Sequence, residues 1–188
     1  FIRVEARSES PMIDLRLFQS SLFTINLITG FIAFVASAGT IFLMPFYLQD
    51  ILGYDPSKAG LLMATVPLIA GIMAPISGAL SDKFGTRPLA VIGLGILFMG
   101  YIGVSTLDQN TNELGYVIRF ILIGVGIGVF QSPNNSAIMG AVPRERLGVA
   151  SGLLSITRTL GQTTGIAVLG ALWASNVAAQ MGASAIVD

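Results

Sequence analysis

Gly78-Ala-Leu-Ser-Asp82-Lys83-Phe-Gly85-Thr-Arg87-Pro88 is a short polar reversal set between two apolar stretches. Residues 59–81 before it and residues 88–107 after it carry no charged side chain until the reversal itself is reached. Each stretch supplies about the 20 residues an α-helix needs to cross a bilayer core. Gly85 suits a tight reversal and Pro88 suits the first turn of the helix that follows. One acid and two bases between two such spans predict a helical hairpin standing in a membrane.

Composition points the same way. The chain is 53% hydrophobic and 11% charged, with a mean hydropathy of +0.79. Soluble domains carry about 25% charged residues, so this chain lacks the means to cover itself with a hydrated surface. The formal net charge is zero, which argues against a nucleic-acid partner. There is no cysteine and no histidine, so a disulfide framework, a thiolate or zinc site and the usual general base are all excluded. No catalytic residue, metal or cofactor is expected, and the chain is not read as an enzyme. It opens on Phe1 and closes at Asp188, and is expected to be part of a longer protein.

Working outward from the hairpin, five spans are predicted at about 22–48, 59–80, 89–106, 116–139 and 149–174. In lipid every backbone amide needs an internal partner, so spans of this length are helices. The fold class is all-α, a polytopic transmembrane helix bundle. Residues 1–19 form a lead-in segment, 20–175 the five-helix bundle and 176–188 a tail that stops before a further helix. Arg3, Arg7, Arg16, Lys83, Arg87, Arg144 and Arg146 fall on one side of this arrangement and Lys58 on the other. The positive-inside rule then puts the lead-in and the hairpin in the cytoplasm and the tail outside.

Gly78-x-x-x-Asp82-Lys83-x-Gly85-x-Arg87 resembles the cytoplasmic loop signature of the major facilitator superfamily. Pro11-Met-Ile-Asp-Leu-Arg-Leu-Phe18 resembles the segment leading into the second half of the fourteen-helix drug:proton antiporters of the EmrB/QacA type. The stretch from Pro143 through Gly148, Ala150-Ser151-Gly152 and Arg158 to Gly161 and Gly165 resembles the penultimate helix of that group. The resemblance implies one half of an alternating-access transporter in a bacterial cytoplasmic membrane. Its implied partners are the lipid bilayer, the remainder of the same chain, a small amphipathic substrate and protons. It also implies that the hairpin, with Gly78, Asp82, Lys83, Gly85 and Arg87, holds the cytoplasmic gate closed. Thr86 and Pro88 depart from the strongest form of the signature, where further basic residues stand.

Read from the residues alone, the hairpin is equally a capped, positive-inside turn. In that reading Asp82 caps a neighbouring helix, and Lys83 and Arg87 pair with it or with anionic headgroups. Arg158 lies about nine residues into its span, roughly 13 Å deep at 1.5 Å per residue. A charge there calls for a partner or a wet cavity. Ser151, Ser155, Arg158 and Gln162 recur at helical spacing, so they line a pathway, or else Arg158 snorkels to the interface. Gly152, Gly161 and Gly165 are read first as helix packing, as are Gly124 and Gly128 on the fourth span. Gln131 and Asn135 share a face with those two glycines. They bind substrate or bond across helices, the second being the commoner use of such amides. Arg119 is structural, and Pro45, Pro67 and Pro75 mark bends. No span holds a carboxylate near its middle, so a proton-coupling acid is expected outside this stretch.

Three functions stay open at this point: multidrug efflux by proton antiport, carriage of a sugar, peptide or other metabolite, and a membrane assembly subunit that transports nothing.

Overall fold

A computed structural model describes the backbone of residues 15–184 and the side chains of residues 17–175. Arg3, Arg7 and most of the Pro11–Phe18 segment lie outside the described residues, as does the end of the expected tail. The first described residues, Leu15–Gln19, form a 3-10 turn, and Ser20 then caps α1 (Ser21–Phe46) by accepting from the Phe23 amide. Pro45 lies inside the last turn of α1, where it removes an amide donor, and the chain widens into a π-turn at Tyr47–Ile51.

Gly53 reverses the chain at φ +68°, and Asp55 accepts from the amides of Ser57 and Lys58 to start α2 (Pro56–Met63). This agrees with the Gly-then-Asp-Pro reading of that loop. The single span expected at 59–80 is two helical pieces, because the ladder breaks at Ala64 before α3 (Thr65–Phe84). Pro67, in the first turn of α3, has no amide to offer Met63, which accounts for the break. Gly85 then turns the chain at φ +88° into α4 (Thr86–Val104). Asn112 caps α5 (Glu113–Gly140), and a 3-10 turn at Arg144–Arg146 leads into α6 (Leu147–Ser184). The tail expected from residue 176 thus begins as a continuation of α6.

Four of these helical stretches are long and apolar enough to cross a membrane: Ser21–Ile51, Pro56–Phe84, Thr86–Val104 and Glu113–Gly140. α6 is the longest helix but is interrupted by Arg158, Gln162 and a run of serines, threonines and glycines, so it is less apolar than the others. Large apolar side chains point outward along the bundle, among them Ile25, Ile32, Leu61, Leu68, Phe98 and Ile102. That is the exterior of a protein solvated by lipid.

α5 is the hub, packed between α3 and α4. Three alternate glycines explain how. Positions four apart on a helix share a face, while the position between them points to the opposite side. A Cβ on Gly124 would sit 2.8 Å from Ile69 and one on Gly128 2.6 Å from Met73, both on α3. A Cβ on Gly126 would sit 2.6 Å from the Leu97 amide nitrogen on α4. Gly93 and Gly100 of α4 answer with equally close approaches to Phe130 and Ile123. α6 lies against α1 instead, where Gly161 meets Phe34 and the Phe31 carbonyl, and Gly165 meets Val35 and Ala38. The bundle is therefore a triad (α3, α4, α5) and a pair (α1, α6), and α1 touches α5 along only a narrow strip.

Candidate functional site

A cavity of about 550 Å³ opens between α1 of the pair and α3 and α5 of the triad. It lies toward the end of the bundle that carries the loops at residues 52–55 and 105–112. α1 presents Ser37, Thr40 and Met44, the α2–α3 span presents Met63, Val66 and Ala70, and α5 presents Tyr116, Phe120 and Gln131. Tyr101 closes it from α4 by donating a 3.2 Å hydrogen bond to the Ser37 hydroxyl. Tyr116 and Phe120 stack with ring centroids 4.0 Å apart. Their spacing of four puts both rings on one face of α5.

The lining is overwhelmingly apolar and holds no charged side chain. Its polar groups are few: the hydroxyls of Ser37 and Thr40, the two tyrosines and the Gln131 amide. The Tyr116 hydroxyl is buried and has no hydrogen-bond partner among the described residues. A concave, largely apolar wall with a few hydroxyls and one amide is the form of a small-molecule binding site.

Of the residues singled out from sequence, Gln131 lines this cavity. Asn135, one turn further on, is half-buried with an unpartnered Oδ1, and its neighbour Asn134 is the amide that lies fully buried, close to Gly30 of α1. Ser155 and Arg158 are exposed and Gln162 is half-buried, and none of the three reaches the cavity. Arg158 instead sets its guanidinium 5.3 Å above the Phe34 ring of α1. The expected pathway group is thus divided, with the α5 amides inside the bundle and the α6 stripe on its outer side. Gly124, Gly128, Gly161 and Gly165 all sit at close helix crossings, whereas Gly152 is exposed with open space around it.

At the hairpin, Asp82, Lys83 and Arg87 are all exposed, and none forms a hydrogen bond or ion pair with a described residue. Asp82 caps nothing: the N-cap of α4 is Gly85, without a side-chain bond. Gly78 is packed, 3.3 Å from the Ser132 hydroxyl at its would-be Cβ. The structural reading of Arg119 is visible in its bonds to the carbonyls of Gly103 and Gly115 and to Thr106, which fasten α4 to α5. Ser37, Thr40, Tyr101 and Tyr116 were missed from sequence. The signal available was a hydroxyl-bearing aromatic in each of two otherwise apolar spans.

A model of the major facilitator superfamily matches residues 3–166, which is most of the chain and every helix that forms the cavity. The chain belongs to the major facilitator superfamily. The relatives that the chain matches are named as transporters. Among curated relatives, the uncharacterized transporter YebQ of Escherichia coli (strain K12) is 36% identical over 90% of this chain and 37% of that protein. The riboflavin transporter RibZ of Clostridioides difficile (strain 630) is 31% identical over 92% of this chain and 38% of that protein. The multidrug resistance protein Stp of Mycobacterium tuberculosis is 33% identical over 96% of this chain and 34% of that protein. The chain spans little more than a third of the length of these relatives.

Proposed function

We propose that this chain forms part of a secondary transporter that exports small amphipathic compounds in exchange for protons by alternating access. The observation that carries the reading is the uncharged cavity of about 550 Å³ with its stacked aromatic wall and a single amide. Its size and lining suit a drug-sized guest with an apolar body and few polar groups. Relatives named for multidrug resistance and efflux support it. In this reading the hairpin of Asp82, Lys83, Gly85 and Arg87 lies on the cytoplasmic face of a bacterial membrane and takes part in closing that side. Arg158, Ser155 and Gln162 face the remainder of the transporter, where the coupling carboxylate also lies.

A second reading keeps the fold and changes the cargo to a planar heteroaromatic metabolite. The Tyr116–Phe120 stack and the relative named as a riboflavin transporter favour it. Proton release from energised inverted vesicles holding the full-length protein, challenged with lipophilic cations and with flavins, separates the two. Release on addition of the cations, weakened by Asp82→Asn and Arg158→Ala at equal protein abundance, supports drug antiport. A response confined to flavins supports the metabolite reading, and no response to either removes both cargoes.

A further inference from the structure

A second apolar hollow of about 520 Å³ lies on the outer side of the triad, away from the cavity already described. α3 contributes Met73, Ile76, Leu80 and Phe84 and α4 contributes Pro88 and Ile92, with α5 as the floor. Its wall is exposed to the membrane side, Ile76 at 46% and Ile92 at 55%. The one hydroxyl on it, that of Ser77, is already engaged with the Val129 carbonyl at 2.8 Å. The groove therefore offers a guest contact with hydrocarbon and nothing else along its length.

Its mouth is different. Phe84 and Pro88 form that end, and their immediate neighbours in sequence are Lys83 and Arg87. Both cations are exposed and neither is paired with a described residue, while the hairpin's one acid, Asp82, leaves it net positive. The reach also fits. From Phe84 to Met73 is about 16 Å of helix, against about 15 Å for one leaflet of a 30 Å hydrocarbon core. We infer that this groove binds an anionic phospholipid, with an acyl chain lying along α3 and α4 and the phosphate held at the hairpin by Lys83 and Arg87. The bilayer's own acyl chains are the abundant guest of that shape, and two unpaired bases at the rim select for negative headgroups. The binding requires only the membrane-embedded fold, whatever the cargo.

The test is native mass spectrometry of the full-length protein in detergent, titrated with dioleoyl phosphatidylglycerol, phosphatidylethanolamine and phosphatidylcholine of the same chains. The wild type should retain phosphatidylglycerol in preference to the other two. Each lost base should weaken that lipid alone by about fivefold, the ratio for ~1 kcal/mol per basic residue, so that K83Q/R87Q removes the preference. K83R should keep it. Ile76→Trp with Ile92→Trp, which fills the groove at two exposed positions, should lower retention of all three lipids. Equal retention of the three by wild type, or a preference that K83Q/R87Q leaves intact, overturns the inference. Displacement of the lipid by millimolar glycerol phosphate also overturns it, since a free anion site needs no groove.

Discussion

The Ser77 hydroxyl donates a 2.8 Å hydrogen bond to the carbonyl oxygen of Val129, one helix away. That carbonyl is the one whose intrahelical donor would be residue 133, and residue 133 is proline. A proline in a membrane helix leaves a backbone acceptor that must be satisfied from outside. Ser77, 2% exposed, supplies the donor and pins α3 to α5 at that level.

Ser77→Ala should therefore destabilise the protein by about 0.6–2 kcal/mol, between the mean value of a membrane hydrogen bond and the cost of an orphaned buried acceptor. In a Pro133→Ala background the Val129 carbonyl regains a backbone donor, and the same serine change should cost markedly less. Reversible unfolding in detergent followed by circular dichroism reads the coupling in a double-mutant cycle. Equal costs in the two backgrounds would separate Ser77 from the proline.

The glycines should divide sharply. Gly126→Ala forces a Cβ against the Leu97 backbone and should cost about 1–3 kcal/mol, because a backbone cannot step aside as a side chain can. Gly152→Ala meets open space and should leave stability level or raise it by up to ~1 kcal/mol through helix propensity. The melting temperatures of the two variants, side by side, check the reading of the α4–α5 crossing.

Tyr116 and Tyr101 should respond differently to loss of the hydroxyl. Tyr116→Phe removes a buried group that has no partner among the described residues, so stability should hold or rise slightly. Substrates that accept a hydrogen bond should bind about fivefold more weakly, as for the loss of about 1 kcal/mol. Tyr101→Phe removes the bond to Ser37 and should lower the melting temperature with no such selectivity among substrates. Binding titrations paired with thermal unfolding distinguish these outcomes.

Gln131→Leu keeps the volume of the cavity wall and removes its one amide. Apolar ligands should bind as before or more tightly, while ligands that bond the amide should weaken by up to about tenfold, as for the loss of one hydrogen bond. A uniform loss across both ligand sets, measured by tryptophan-independent calorimetry, would show that the amide supports the fold instead.

Four of the five expected spans, the hairpin and the Gly53–Pro56 turn were legible because each rests on local chemistry: length of apolar run, a glycine at positive φ, an aspartate beside a proline. The division of the helices into a triad and a pair was written less openly. Gly124, Gly126 and Gly128 were visible as small residues, but only the positions of α3 and α4 show that the middle one serves a different neighbour. The pathway candidates chosen by helical spacing divide for the same reason. Spacing ranks residues by face and says nothing about which neighbour that face meets: Gln131 lines the cavity, while Ser155, Arg158 and Gln162 stand on α6, outside its lining. Asp82 was expected to cap or pair, and Gly85 closes the turn without it, leaving three charges for whatever lies outside.

Between the pair and the triad, the cavity end is crossed by two tyrosine hydroxyls, Tyr101 to Ser37 and Tyr47 to the Asp108 carbonyl, while at the other end Phe23, Ile138 and Leu153 share one packed apolar cluster. Glycine-lined crossings on either side make each body stiff. A guest placed between α1 and α5 would therefore press on the pair and the triad at once, and would do so at the end that the apolar cluster leaves unfilled.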